Sequence, residues 1–363
     1  MSNTEFELRV QELAKVGMMP YAAFENRYQH DGIGAALVVR AALYFKSGFS
    51  PEKRSAIAHI FEAYLKIAKA AKGEMGSVPL KWLWFNGKRA LPLSKAPSLS
   101  ALRHDVGENE AFDATYVGGE AARDASLYEF TTFCLEKWQS ELGTRGLDTL
   151  VFTLPVPFVR STPEAFTSLF QDAATKLDAI HGHAGLAVNL SPTGREENES
   201  SEYFMAQQLG PGVDVGDPLA MKVADLVNQI KTIDWLTLID ATMLSKVGGI
   251  DRLRSELPPD WYSVAPCAQG VMIRAGVLPQ AGVRDRDGDT ATPPPAYIVL
   301  NAALRALIPD SISILQQGAV NGEAPVYNSK TSSNAWLRRF DVSAEQLLAA
   351  KAAVLDTPRL PSP

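Results

Sequence analysis

Two histidines flank a glycine at His181-Gly182-His183, and paired imidazoles are frequent ligands of zinc and other transition metals. Ligands this close together on the chain would need carboxylates from elsewhere to complete a metal site. A second interpretation is that a helix ends here. His181 would then lie against the helix carboxyl terminus, where positive charge is favourable, and Gly182 would end the helix. We favour this structural interpretation.

An acidic loop is predicted within the run GVRDRDGDTATPPP, which is rich in residues typical of turns. Its segment Asp285-Arg286-Asp287-Gly288-Asp289 begins like the calcium loop of an EF-hand. Such a loop requires glycine at its sixth position and glutamate at its twelfth, where this chain has Thr290 and Ala296. We therefore predict a negatively charged contact surface, formed by Asp285, Asp287 and Asp289.

A second acidic cluster lies in the opening turns of a helix predicted over residues 195–209. Acidic side chains at this position stabilise a helix through its macrodipole. They can also pair with lysine or arginine of a basic partner protein, and the two roles are compatible. We predict that this cluster binds the partner together with the acidic loop; its members are Glu196, Glu197, Glu199 and Glu202.

The sequence lacks the local motifs of several large enzyme classes. It has no Gly-x-Ser-x-Gly nucleophile turn, no phosphate loop and no glycine-rich dinucleotide fingerprint. We therefore expect a binding protein that has no catalytic residues and needs no cofactor or metal. The alternative is a metal-dependent hydrolase that uses His181, His183 and the loop from Asp285 to Asp289.

Composition favours a basic protein as the partner. The 363 residues include 35 Lys and Arg against 41 Asp and Glu, which gives a formal net charge of −6. An acidic chain attracts basic proteins and repels nucleic acid phosphates. No apolar run reaches the roughly 18 residues of a membrane span, and the amino terminus lacks the apolar region of a secretory signal. We expect a cytoplasmic protein in which the two cysteines, Cys134 and Cys267, are free thiols.

A strand-helix-strand pattern is predicted twice. In the first copy, an apolar strand over 34–45 leads to a helix that starts at Ser50-Pro51-Glu52. In the second, a strand over 148–159 leads to a helix that starts at Ser161 and carries one apolar stripe, and a strand over 185–190 returns. The pattern predicts an α+β fold of mainly antiparallel sheets flanked by helices. An internal duplication or chance recurrence could produce the repeat, and we favour chance because the two sequences do not match.

We expect two intimately packed lobes, because no low-complexity linker divides the chain. The predicted N-terminal lobe covers residues 1–145 and the C-terminal lobe covers 146–342. Residues 343–363 form a terminal helix and a loose tail. Tryptophans in apolar strand-like runs are predicted to be core residues; these are Trp82, Trp84 and Trp235.

Several segments, in this order along the chain, resemble the type VI immunity family of TsiV-like antitoxins. Each segment is weakly specific by itself, and their number and order make the resemblance specific. Together they span roughly residues 30–345. The matching stretches are LKWLW at 80–84, GHAGLAVNLSP at 182–192, IDWLTL at 233–238, VGG at 247–249 through LP at 257–258, VMIRAG at 271–276, PPAY at 294–297 and WLRRFD at 336–341.

The resemblance implies an antitoxin that binds one cognate effector of the bacterial type VI secretion system and protects the producing cell and its siblings. Relatives of this family accompany nuclease toxins of the restriction-endonuclease-like class, so the implied partner is a basic nuclease domain. An acidic protein can be steered to the cationic cleft of such a toxin and fill it. We therefore expect steric occlusion of the toxin active site.

A third possibility is immunity against a lipase or a toxin that cleaves peptidoglycan. Such toxins act in the membrane or the periplasm, and the lack of a predicted secretory signal argues against this reading.

Overall fold

The computed structural model describes residues 11–15, 17–20, 32–74, 83–85, 90–119, 121, 124–142, 146–192, 202, 205–206, 208–220, 226–284, 291–312, 315 and 329–361. The fold below is that of these residues.

Helices are interspersed among the strands along the described chain. The strands are β1 Met18–Pro20, β2 Ile33–Phe45, β3 Leu83–Phe85, β4 Ala90–Pro92, β5 Phe112–Val117, β6 Glu129–Cys134, β7 Asp148–Pro155, β8 His181–Leu190, β9 Leu236–Asp240, β10 Tyr262–Cys267, β11 Gly270–Ala275, β12 Val283–Arg284 and β13 Ala291–Thr292. The α-helices are α1 Pro51–Glu74, α2 Leu99–Asp105, α3 Lys137–Glu141, α4 Val156–Ser161, α5 Pro163–Leu177, α6 Ala241–Lys246, α7 Gly249–Glu256, α8 Pro295–Leu304, α9 Lys330–Leu337 and α10 Ala344–Leu355.

One antiparallel sheet contains all of these strands except β12 and β13, which pair only with each other. Its order is β10-β11-β9-β8-β2-β7-β6-β5-β3-β4, and β1 pairs with the beginning of β2. The interior strand β2 reads IGAALVVRAALYF, a nearly continuous apolar run of the kind that is buried on both faces of a sheet. Its charged residue, Arg40, lies opposite Thr153 of β7 and Gly185 of β8.

The second strand-helix-strand unit crosses over β2. Because β7 and β8 are both antiparallel to β2, they run parallel to each other, and α4 and α5 connect them. The ring of Phe152 on β7 contacts Tyr64 of α1 and Phe166 of α5, with centroids 6.1 and 5.5 Å apart. Helices α1 and α5 therefore cover the same face of the sheet. The apolar stripe was predicted to end at Ile180, which lies beyond the end of α5 and is only partly buried. The other five members are confirmed as buried; they are Phe166, Leu169, Phe170, Ala173 and Leu177.

The predicted α+β class, with an antiparallel sheet flanked by helices, is confirmed. The predicted division near residue 145 falls between α3 and β7. The strands on either side of this point, β6 and β7, are neighbours in the same sheet. The two strand-helix-strand units occupy the sheet differently, since three strands separate β2 from β3 and only one separates β7 from β8. Among the described helices, none combines the length and hydropathy of a membrane-spanning segment.

The predicted helix end at Gly182 is wrong. Helix α5 ends at Leu177, because Asp178 adopts the left-handed conformation with φ of 45° and the Ala179 N–H returns to the Ala174 carbonyl at 2.9 Å. His181 and Gly182 consequently lie in β8. The preceding strand is also shorter than predicted: β7 ends at Pro155 and the chain turns directly into α4.

Candidate functional site

Alternation along β8 places His181 and His183 on the same face of the sheet. Both side chains are buried beneath Tyr44 of β2, whose ring centroid lies 4.7 Å from that of His181 and 6.5 Å from that of His183. Burial lowers the pKa of His181 to about 3 and also lowers the pKa of His183. Both imidazoles are therefore neutral at neutral pH.

His183 belongs to a buried group of charges centred on Asp214. Oδ2 of Asp214 lies 3.0 Å from Nη2 of Arg40 and 3.1 Å from Nε2 of His183. Its other oxygen, Oδ1, lies 2.7 Å from Nζ of Lys231. All four side chains are less than 5% exposed. We call Arg40, His183, Asp214 and Lys231 the Asp214 cluster.

The Asp214 cluster fastens a loop to the sheet. The Asp214 N–H donates to the Leu186 carbonyl of β8 at 2.8 Å, and the two basic side chains bind the backbone immediately after it. Arg40 donates to the Gly216 carbonyl at 3.2 Å, and Lys231 donates to the Val215 carbonyl at 3.0 Å. The loop around residue 214 pairs with β8 through an isolated bridge and not through a continuous ladder. The hydrogen bonds from Arg40 and Lys231 therefore contribute strongly to its position.

Opposite charges decide the ionisation of the cluster. Burial alone would raise the pKa of Asp214, but the charges of Lys231 and Arg40, together with the hydrogen bond from His183, hold it well below its ordinary value. Burial likewise lowers the pKa of Lys231, and Asp214 opposes that effect. Asp214 is thus a carboxylate, and it neutralises one of the two basic charges that face it.

Glu202 supplies the second negative charge from the interior. Both of its carboxylate oxygens lie 3.0 Å from the Gly216 nitrogen, whose N–H they share, and its charge acts on Lys231. The side chain is only 3% exposed. Glu202 was predicted to belong to an exposed partner-binding surface, and the structure corrects this: its carboxylate faces inward and holds the same loop as the Asp214 cluster.

The other predicted contact residues lie outside the described residues, so their contact role stays a prediction. The strands that border the acidic loop, β12 and β13, pair as a two-stranded ladder. The residues concerned are Glu196, Glu197, Glu199, Asp285, Asp287 and Asp289.

The described residues do not assemble the metal site of the alternative hydrolase reading. No three His, Cys, Asp or Glu side chains among them converge with metal-ligand spacing. His183 is bonded to Asp214, and His181 is buried beneath Tyr44. The Asp285–Asp289 loop, which would complete such a site, lies outside the described residues. The geometry of the Asp214 cluster supports a structural role, in which its side chains hold the backbone of residues 214–216 against the sheet.

Two smaller predictions are confirmed. Cys134 and Cys267 are free and buried. Trp235 is fully buried, and its indole N–H donates to the Gly276 carbonyl at 3.1 Å. The side chains of Trp82 and Trp84 lie outside the described residues.

Sequence reasoning missed the Asp214 cluster, although one signal for it was present. Arg40 is a single charge within the apolar run of β2, and an arginine in a strand buried on both faces requires a buried counter-charge. The pattern could not show which acid supplies that charge, because Asp214 follows 174 residues later.

Gly185 marks a close approach between β8 and a second buried acid, Asp234. Asp234 is 2% exposed, and its Oδ1 accepts the Trp235 N–H at 2.7 Å. A Cβ atom at position 185 would lie 1.7 Å from that oxygen. Glycine is therefore the residue that this strand position accommodates.

We expect Gly185→Ala to lower the free energy of unfolding by about 2–3 kcal/mol, because the added methyl group must displace Asp234 from its hydrogen bond. Urea unfolding followed by tryptophan fluorescence measures the change. Gly107→Ala is the matched control, since a Cβ there would meet its nearest atom, Oε2 of Glu110, at 3.3 Å on an exposed turn. Equal unfolding midpoints for the two variants would contradict the prediction.

Comparison with known proteins identifies the family. The family TsiV, described as type VI immunity for VRR-NUC, matches residues 56–340. Among solved structures, the chain is similar to the Pseudomonas aeruginosa T6SS protein PA0821, with 30% sequence identity, a TM-score of 0.86, and coverage of 99% of this chain and 97% of that one. No curated protein matches the sequence. Because the family match extends over more than half of the chain, the protein belongs to the type VI immunity family for VRR-NUC.

Proposed function

We propose that this protein is the immunity partner of a type VI effector with a VRR-NUC nuclease domain, and that it neutralises the toxin by direct binding. The family match over residues 56–340 carries the proposal. The similarity to a T6SS protein of Pseudomonas aeruginosa over nearly the whole length of both chains supports it. The protein acts as a binder and not as an enzyme, and the cytoplasm, where the toxin would meet chromosomal DNA, is the compartment of action.

The proposed mechanism is occlusion of the toxin's active site. A nuclease holds DNA through clustered basic side chains, and this chain carries a net charge of −6. Opposite charge accelerates the encounter, and a few buried anchors then supply the affinity. Lasting protection requires a dissociation constant on the order of nanomolar and an interface of at least about 1,200 Å².

The direct test combines binding and protection. The chain and a catalytically inactive VRR-NUC domain of the effector encoded beside it are purified and titrated by calorimetry. The active domain is then expressed in a bacterial host with and without the chain. We expect a one-to-one complex, loss of DNA binding by the toxin domain, and survival of the host. A toxin domain that binds DNA equally well in the presence of the chain would contradict occlusion.

The acidic contact residues predicted from sequence are tested separately. Two variants each reverse three charges. One is Glu196→Lys/Glu197→Lys/Glu199→Lys, and the other is Asp285→Lys/Asp287→Lys/Asp289→Lys. For each we expect association with the toxin domain to slow by about tenfold or more at low salt, with a smaller effect at high salt. Unchanged association rates for both variants would place the contact surface elsewhere.

A further inference from the structure

An exposed tryptophan lies on α3, at the end of the sheet where β6 stops. Trp138 is 50% exposed and Leu142, four residues later, is 68% exposed. Residues four apart on a helical turn lie side by side, so the two form one apolar surface. In the described part of the chain, the other large apolar side chains with comparable exposure are Val283, Leu348 and Leu355, none of them aromatic.

The backbone beneath this surface is firmly held. The Lys137 N–H donates to the Glu108 carbonyl at 3.0 Å, and the Lys137 ammonium pairs with the Glu108 carboxylate at 2.9 Å. Just before α3, the Leu135 N–H donates to Asp148 at 2.7 Å, and the other oxygen of the same carboxylate accepts the Gly48 N–H at 2.6 Å. Buried Asp148 thus ties two loops to β7. Because the backbone that carries Trp138 is already held in place, less conformational entropy is lost when this side chain binds a partner.

Acidic side chains surround the apolar pair. The indole N–H of Trp138 donates to Glu136, Glu108 lies beside α3 through its ion pair, and Glu141 is one helical turn beyond Lys137. Lys137, the basic residue among them, is already paired with Glu108. Among the described residues around the pair, these three acids and one base leave a net negative rim. We call Glu108, Glu136, Trp138, Glu141 and Leu142 the Trp138 surface.

We propose that the Trp138 surface is the anchor that docks onto the basic face of the toxin domain, an inference that rests on the proposed function. Tryptophan is the residue type most enriched among the side chains that dominate binding energy, and such side chains are ringed by residues that exclude water. The negative rim selects a partner whose own rim is rich in lysine and arginine, as the DNA-binding face of a nuclease is. A neutral or acidic protein surface would not complement it.

The apolar half of the proposal is tested with Trp138→Ala/Leu142→Ala. Trp138 is half-exposed and Leu142 is mostly exposed, so the variant is expected to stay folded with at most a small fall in melting temperature. We expect its dissociation constant for the inactive VRR-NUC domain to rise by at least about 30-fold, mainly through faster dissociation. The matched control, Leu348→Ala/Leu355→Ala, removes two exposed apolar side chains from α10 and is expected to bind as wild type does.

The charged half is tested with Glu108→Lys/Glu141→Lys. We expect slower association at low ionic strength, with a difference from wild type that shrinks as salt is added. Glu345→Lys/Asp356→Lys makes the same change in net charge at exposed positions of α10 and its carboxyl end. A greater effect at the Trp138 surface than on α10 shows that the local rim matters and not the total charge.

The outcomes separate this inference from the proposed function. If the wild-type chain does not bind the toxin domain, the proposed function fails and the inference fails with it. If the wild-type chain binds and protects while Trp138→Ala/Leu142→Ala binds with unchanged affinity, the proposed function stands and the Trp138 surface is overturned. Equal loss in the α10 variants would likewise overturn it.

Discussion

Asp214→Asn is expected to lower the free energy of unfolding by about 3–5 kcal/mol. The substitution keeps the size of the side chain and removes the carboxylate that lies within 3.0 Å of both Arg40 and Lys231. The two buried basic groups would then lose the counter-charge that they share, and desolvation of an unmatched charge is costly. Urea unfolding at pH 7, followed by tryptophan fluorescence, measures the loss as a lower midpoint at constant slope.

Two further variants separate lost charge from general damage. Asp356→Asn alters an exposed aspartate at the end of α10 and is expected to change stability by less than about 0.5 kcal/mol. Lys231→Met introduced into Asp214→Asn removes one of the unmatched basic groups, so part of the lost stability should return. If Lys231→Met destabilises the Asp214→Asn protein as much as it destabilises wild type, the charges are not coupled and the account of the cluster is wrong.

The elements that sequence predicted well are those whose signal is local. The apolar run that became β2 and the stripe on α5 can both be read within about 15 residues, because burial of one continuous element imposes a pattern on its own sequence. Helix starts at serine and proline were equally local. The end of α5 was misjudged because Gly182 is a typical helix terminator, whereas Asp178 took the left-handed conformation four residues earlier.

The parts that could not be predicted depend on pairing between distant residues. Nothing in the composition of β2 shows that β7 and β8 lie on its two sides, because strand order is set by the packing of the entire sheet. Glu202 shows the same limit for a single side chain. It stands in a run of acids typical of a solvated helix start, yet its carboxylate turns inward to the Gly216 N–H. The exposure of Trp138, the basis of the proposed anchor, was not predicted either, because Trp138 lies outside the apolar strand-like runs whose tryptophans were assigned to the core.

The second large effect concerns pH and Asp234. Burial, together with the nearby negative charge of Asp214, raises the pKa of Asp234 to about 7, against 3.8 for an ordinary aspartate. The folded protein therefore holds this proton more tightly than the unfolded chain does. Its contribution to stability is complete below about pH 4 and is lost as the pH rises through 7. The difference between the two pKa values corresponds to roughly 4 kcal/mol.

Asp234→Asn isolates this contribution, because asparagine stays neutral and retains an oxygen that can accept the Trp235 N–H. We expect the variant to gain stability relative to wild type by about 4 kcal/mol between pH 4 and pH 8, measured by urea unfolding at each pH. His181 and His183, whose pKa values are lowered, act with the opposite sign: their contribution is present above pH 6.5 and is lost on acidification. Since both proteins contain these histidines, their effect cancels in the difference. If the stability of the two proteins differs by the same amount at every pH, Asp234 does not change its charge over this range. That result would contradict the conclusion that burial raises the pKa of Asp234.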